Sequence, residues 1–257
     1  MTHPHDHSDP AHVSLLEAVD VSVSYDGETL AVEHASFCID EGDLVAVVGA
    51  NGSGKSTLFK ALAGFVNHDG DVIINGRRCH HLERQSIAYI PQQSDIDLRF
   101  PITVAEVVAA GRRRFHGRRM RPGRADAVSV SASLAAVDLA GAENTLLSTL
   151  SGGQVQRVLI ARAIAQEASV MLLDESMSGV DERHVDELMA LFADLCASGT
   201  AILVSTHDLA LVRARFPRCL TINRRVLGDG DPSTELAGER LERLFSRVGN
   251  GDAGNGA

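Results

Sequence analysis

The chain has 257 residues, with 24 Lys and Arg against 34 Asp and Glu, a formal net charge of -10 and 44% hydrophobic residues. Such a length and balance predict a globular protein with surface enough to bury a large core, and the acidic surplus argues against nucleic acid as the main partner. No apolar run approaches the roughly 20 residues of a membrane-crossing helix, and the opening MTHPHDHSDPAH lacks the cationic and apolar stretches of a secretory signal, so a soluble, cytosolic chain is expected.

In chain order, residues 1–12 are rich in His, Pro and Asp and residues 246–257 end in GNGDAGNGA, so both are expected to be disordered tails around a folded domain over 13–245. Val19, Val21, Val23 and Tyr25 alternate as a strand would, with Asp26 and Gly27 as turn residues behind them. LVAVVG (44–49) is a short apolar run closing on a glycine, and a helical pattern starts at Lys55. DVIIN (71–75), SIAYI (86–90), SVMLLD (169–174) and TAILVS (200–205) are further buried-strand candidates. Continuous apolar strands separated by helices predict a parallel sheet covered on both faces. The stretch from about 103 to 165 holds no convincing strand but has helical patterns at 103–112, 125–138 and 152–166, which predicts a helical subdomain inserted over about 98–162. Cys38, Cys79, Cys196 and Cys219 form no CxxC pair and are expected to be free thiols.

Two motifs carry phosphate chemistry. Gly49–Ser56, GANGSGKS, fits GxxxxGK(S/T) directly between a predicted strand and a predicted helix. Gly49, Gly52 and Gly54 let the backbone turn its N–H groups inward, and the helix start adds its positive end, so an anion cradle forms. Asn51, Ser53 and Thr57 complete the candidate cradle. Lys55 and Lys60 are the only lysines, which singles out Lys55 as the cation for the phosphates, with the Ser56 hydroxyl as a Mg²⁺ ligand. SVMLLDE (169–175) ends an apolar strand in two acids: Asp174 for the Mg²⁺ shell and Glu175 to orient or deprotonate a water.

LSGGQVQRVLIARAIA (150–165) resembles the signature segment of the ATP-binding subunits of ABC transporters, and the likeness spans about 13–245. Ser151, Gly152, Gly153 and Gln154 open a helix whose N–H groups suit a second phosphate. The resemblance implies a P-loop NTPase fold of ABC type: α/β, with a mostly parallel central sheet, an antiparallel β part and an inserted helical subdomain. It also implies that two copies pair head to tail around two ATP, each signature closing the other copy's site. It assigns Tyr25 to adenine stacking, Gln92 in YIPQQ to Mg²⁺ sensing and permease contact, His207 in LVSTHDL to the γ-phosphate, and Asp181 in SGVD to the contact between copies. Gln93 is a rival on residue type, but the family pattern places the glutamine immediately after the proline. One departure is Ser176, where the family usually has proline after the glutamate.

The implied cofactors are ATP and Mg²⁺. The implied partners are a second copy, an integral-membrane permease and, indirectly, an extracytoplasmic substrate-binding protein, with the chain peripheral on the cytoplasmic face of the membrane. PQQSDIDLRFPITVAEVV (91–108) is similar to the manganese, zinc and iron importer branch. Haem or siderophore import, export, and an ABC-type ATPase without a permease stay open as alternatives. His3, His5, His7 and His12 are a candidate weak metal chelate, or an incidental tail. Arg112, Arg113, Arg114, Arg118, Arg119, Arg121 and Arg124 are expected either to meet anionic headgroups or an acidic partner loop, or to form a solvated basic helix end.

Overall fold

The computed structural model describes residues 13–79, 86–115, 123–175, 177 and 182–246. In chain order the elements are β1 (Leu16–Ser24), β2 (Leu30–Ile39), β3 (Leu44–Val48), α1 (Lys55–Leu62), β4 (Asp69–Ile74), β5 (Arg77–Arg78), β6 (Ile87–Ile90), α2 (Val104–Ala110), α3 (Arg124–Ala135) and α4 (Gly152–Ala165). Then come β7 (Val170–Leu173), α5 (Glu182–Ala197), β8 (Ala201–Thr206), α6 (Leu209–Arg215), β9 (Arg218–Asn223), β10 (Arg225–Gly230), α7 (Pro232–Glu235) and α8 (Gly238–Phe245).

Two sheets form. A six-stranded sheet has the order β10-β9-β3-β8-β7-β6, parallel except for the β9–β10 hairpin pairing. A four-stranded sheet, β2-β1-β4-β5, is antiparallel throughout. The strand over 71–75 therefore lies outside the parallel sheet, contrary to the reading of its apolar run. DVII is too short for its composition to separate a parallel strand from an antiparallel one, and its burial in fact alternates, with Val72 and Ile74 inward. The alternation expected of β1 also breaks. The register shifts after Ala18, Asp20 takes a φ of 56°, and Val19 turns outward while Val21 and Val23 stay buried.

The six-stranded sheet divides two cores, and its side-chain period of 2 explains why its strands read as unbroken apolar runs. Val45 and Val47 face the four-stranded sheet and Leu58, Phe59 and Leu62 of α1. Ala46 and Val48 point the other way, into the cluster with Ile160 of α4 and Phe192 of α5. Each fully buried side chain of that size contributes about 1.5–3 kcal/mol.

The helical insertion packs on the second core. Helix α2 starts at a reciprocal cap: Glu106 N–H donates to Thr103 Oγ1, and Thr103 N–H donates to Glu106 Oε2. Helix α4 buries Val155, Val158, Leu159 and the alanines Ala161, Ala163 and Ala165, whose small side chains let neighbours approach closely. Arg112 is neither a headgroup contact nor a solvated residue. Its guanidinium donates to Asp126 (3.2 Å), Glu167 (2.6 Å) and the Ala165 carbonyl (3.0 Å) and lies over the Phe115 ring, so it clamps α3 to the end of α4. Arg118, Arg119 and Arg121 lie outside the described residues.

Candidate active site

Three parallel strands deliver the candidate site to one sheet edge. Beyond the carboxyl end of β3 runs Gly49–Gly54, beyond β7 come Asp174 and Glu175, and beyond β8 comes His207. The glycines are required by geometry at two places. Gly54 takes a φ of 99° and caps α1, and an added Cβ would sit 2.5 Å from the Ala31 carbonyl oxygen. At Gly49 a Cβ would collide with the Ile222 carbonyl and the Ser53 hydroxyl. Ser53 Oγ is itself buried with no hydrogen-bond partner among the described residues.

A cleft of about 350 Å³ opens over this loop, lined by Asn51, Gly52, Gly54, Lys55, Ser56, Thr57, Gln92 and Glu175 together with Ala31. Lys55 is buried and folds its ammonium back on the loop, donating to the carbonyls of Gly49 (2.9 Å) and Ala50 (3.0 Å). Burial lowers its pKa below the ordinary lysine value, while the carboxylates of Glu175 and Asp174 pull the other way.

Asp174, 1% exposed, lies at the end of β7 and is held by hydroxyls on both oxygens. Ser205 Oγ donates to Oδ1 at 2.6 Å, and Tyr89 OH donates to Oδ2 at 3.1 Å. Ser205 Oγ in turn accepts from the Glu175 N–H at 2.9 Å. That bond pins Glu175 in a left-handed conformation, φ 43°, which costs a non-glycine residue on the order of 1–2 kcal/mol. Burial, then the charge of Asp174, raises the Tyr89 phenol above its ordinary pKa, so it is a proton donor here.

Other candidates sit apart. Tyr25 lies just past β1, 66% exposed, with its OH 3.4 Å from Thr57 Oγ1 on the edge of the cleft. His207 is exposed, ahead of the Asp208 cap of α6. Ser151 caps α4, its N–H donating to Gln154 Oε1 (3.0 Å) while its Oγ accepts from the Gln154 N–H (3.4 Å), and none of Ser151–Gln154 lines the cleft. Asp181, Ser176 and the His-rich start fall outside the described residues.

Residues 32–178 match the ABC transporter family. The chain belongs to that family. As an ABC transporter subunit it binds nucleotide and is an ATPase. It is 38% identical over 244 residues to the chelated iron transport system membrane protein YfeB of Yersinia pestis, covering 94% of this chain and 82% of that one. It is 37% identical over 227 residues to the manganese transport system ATP-binding protein MntA of Synechocystis, covering 88% and 87%. Among solved structures, cbiO1 from Clostridium perfringens, part of the ABC transporter complex cbiONQ, superposes with a TM-score of 0.76 at 26% identity, covering 90% of this chain and 94% of that one.

Tyr89 and Ser205 escaped the sequence reading of this ABC transporter chain. Their signal was a hydroxyl inside an otherwise apolar strand, next to the strand that ends in two acids. Leu173 pairs with Val204, so the following residues, Asp174 and Ser205, fall side by side.

Proposed function

We propose that this chain is the ATP-hydrolysing subunit of a divalent-metal importer, acting as a head-to-tail homodimer beneath a separate membrane permease. The observation that carries the hydrolytic reading is the cleft where Lys55, Ser56, Gln92 and Glu175 meet at one sheet edge. Lys55 offsets phosphate charge, the N–H groups of Asn51–Thr57 cradle the phosphates, and Tyr25 stacks on adenine. Glu175 takes the proton of the attacking water on its carboxylate, and His207 orients that water against the γ-phosphate. The carboxylate of Asp174, the Ser56 hydroxyl and the Gln92 amide oxygen are hard oxygen donors, the set that suits Mg²⁺. Mg²⁺, when bound, neutralises charge developing on the transferred phosphoryl group.

Ser151–Gln154 and Asp181 act on the other copy's nucleotide. Closure and reopening of the pair move the permease through the Gln92 region, with an extracytoplasmic binding protein delivering cargo from outside and this chain peripheral on the cytoplasmic face. The chelated iron and the manganese named for YfeB and MntA support iron or manganese as the cargo, and the 91–108 segment, similar to the manganese, zinc and iron importer branch, keeps zinc in the same class. The test is Lys55→Ala in the native organism, with total cell metal measured by mass spectrometry. ATP hydrolysis and the accumulation of one of these metals should fall together. Loss of hydrolysis with every cell metal unchanged would remove the metal cargo.

A further inference from the structure

Asp174 is under an unusual double restraint, and one arm of it runs out of the cleft altogether. Tyr89 sits on β6, the strand that leads into Pro91 and Gln92, and its OH crosses to Asp174 Oδ2 on the neighbouring strand at 3.1 Å. Its ring lies beside that of Phe65, at 5.6 Å between centroids and tilted 55°. Its carbonyl oxygen accepts from Arg162 Nη2 of α4 at 2.8 Å, and Gln166, just past that helix, donates to the Ile87 carbonyl of the same strand at 3.0 Å. Helix α4 is capped by Ser151, so the far end of the helix that opens with the signature is bolted to the backbone that carries Tyr89.

We infer that Tyr89 is a positioning residue: its hydroxyl fixes the orientation of the Asp174 carboxylate, and α4 holds Tyr89 in register through Arg162. This rests on the reading that Asp174 serves Mg²⁺. Among the described residues, Ser205 alone leaves the carboxylate one side-chain hydrogen bond, and a single hydrogen bond permits rotation about it. The second, from a phenol seated on a different strand, removes that freedom before any ligand arrives. The device also links the two phosphate-binding regions. A shift of α4 relative to β6 reaches Asp174 through one carbonyl and one phenol.

The partners that orient a metal-binding carboxylate typically affect affinity by about 10–100-fold when removed. Tyr89→Phe keeps the ring against Phe65 and deletes only the hydroxyl. In the full chain, the Mg²⁺ concentration that half-maximally tightens binding of a fluorescent ATP analogue should rise about tenfold in Tyr89→Phe, with affinity for the analogue in EDTA unchanged and the melting temperature lowered by a few degrees through the lost buried hydrogen bond. An unchanged Mg²⁺ midpoint overturns the inference while leaving the nucleotide reading in place, provided Asp174→Asn raises that midpoint. A midpoint indifferent to Asp174→Asn overturns both.

A second readout needs no change at Tyr89. The chain has only two tyrosines, so protein labelled with 3-fluorotyrosine gives two fluorine resonances, assigned with Tyr25→Phe. Addition of Mg²⁺ to the ATP complex should move the Tyr89 resonance, and Asp174→Asn should abolish that movement. A Tyr89 resonance blind to Mg²⁺ contradicts the inference.

Discussion

The loop after β3 and the start of α4 are both phosphate-binding segments by residue type, but the chain treats them in opposite ways. The first is locked. Gly54 is pressed on the Ala31 carbonyl, Lys55 is buried on its own loop, and Asp174 and Glu175 share one hydroxyl beneath the cleft. The second is exposed at Ser151, closes on itself through a local cap and contributes nothing to that cleft. One is a preorganised site and the other is a surface. Under the proposed head-to-tail pairing, the locked cleft takes one nucleotide and the exposed segment closes the other copy's, as in half of a symmetric pair.

Breaking the locked side has the largest expected effect. Gly54→Ala forces a Cβ toward the Ala31 carbonyl at a positive φ, so it should abolish detectable ATP binding and lower stability by about 2 kcal/mol or more in chemical denaturation. ATP binding at wild-type affinity would show that the loop is less constrained than its geometry states. Altering the exposed side should give a smaller and more selective change. Ser151→Ala removes a helix cap worth about 1 kcal/mol. It should leave nucleotide affinity of the isolated chain unchanged while hydrolysis at high protein concentration falls by about tenfold or more. If instead the isolated chain loses affinity, Ser151 serves its own cleft and the contrast between the two regions collapses.

The strands β3, β6, β7 and β8 were legible because both of their faces are buried, so they appear as unbroken apolar runs. β2 and β9 were not, because LAVEHASFCI and RCLTIN carry charged and small residues that composition assigns to loops. Arg218, for example, is buried only because Asp43 and Asp229 flank its guanidinium at 2.6 and 2.7 Å. The motif over Gly49–Ser56 and the acids Asp174 and Glu175 could be read from spacing at a strand end, whereas Gln92 rested on the resemblance to ABC ATP-binding subunits, since Gln93 beside it is a rival on residue type. Tyr89 and Ser205 could not, since their roles depend on which strands lie side by side, and β6, β7 and β8 are neighbours only after crossovers of many residues. Arg112 was read from its charge, whereas its burial against Asp126 and the Ala165 carbonyl is a tertiary fact.

The central claim, that the exposed signature completes a second copy's cleft, is tested most directly with Glu175→Gln. On the proposed mechanism this change keeps the side chain's size and removes the base, so ATP should be bound and retained. Light scattering on that variant with ATP and Mg²⁺ should give twice the chain mass, reverting to the single-chain mass with ADP. A single-chain mass at saturating ATP, with nucleotide demonstrably bound, would contradict the account.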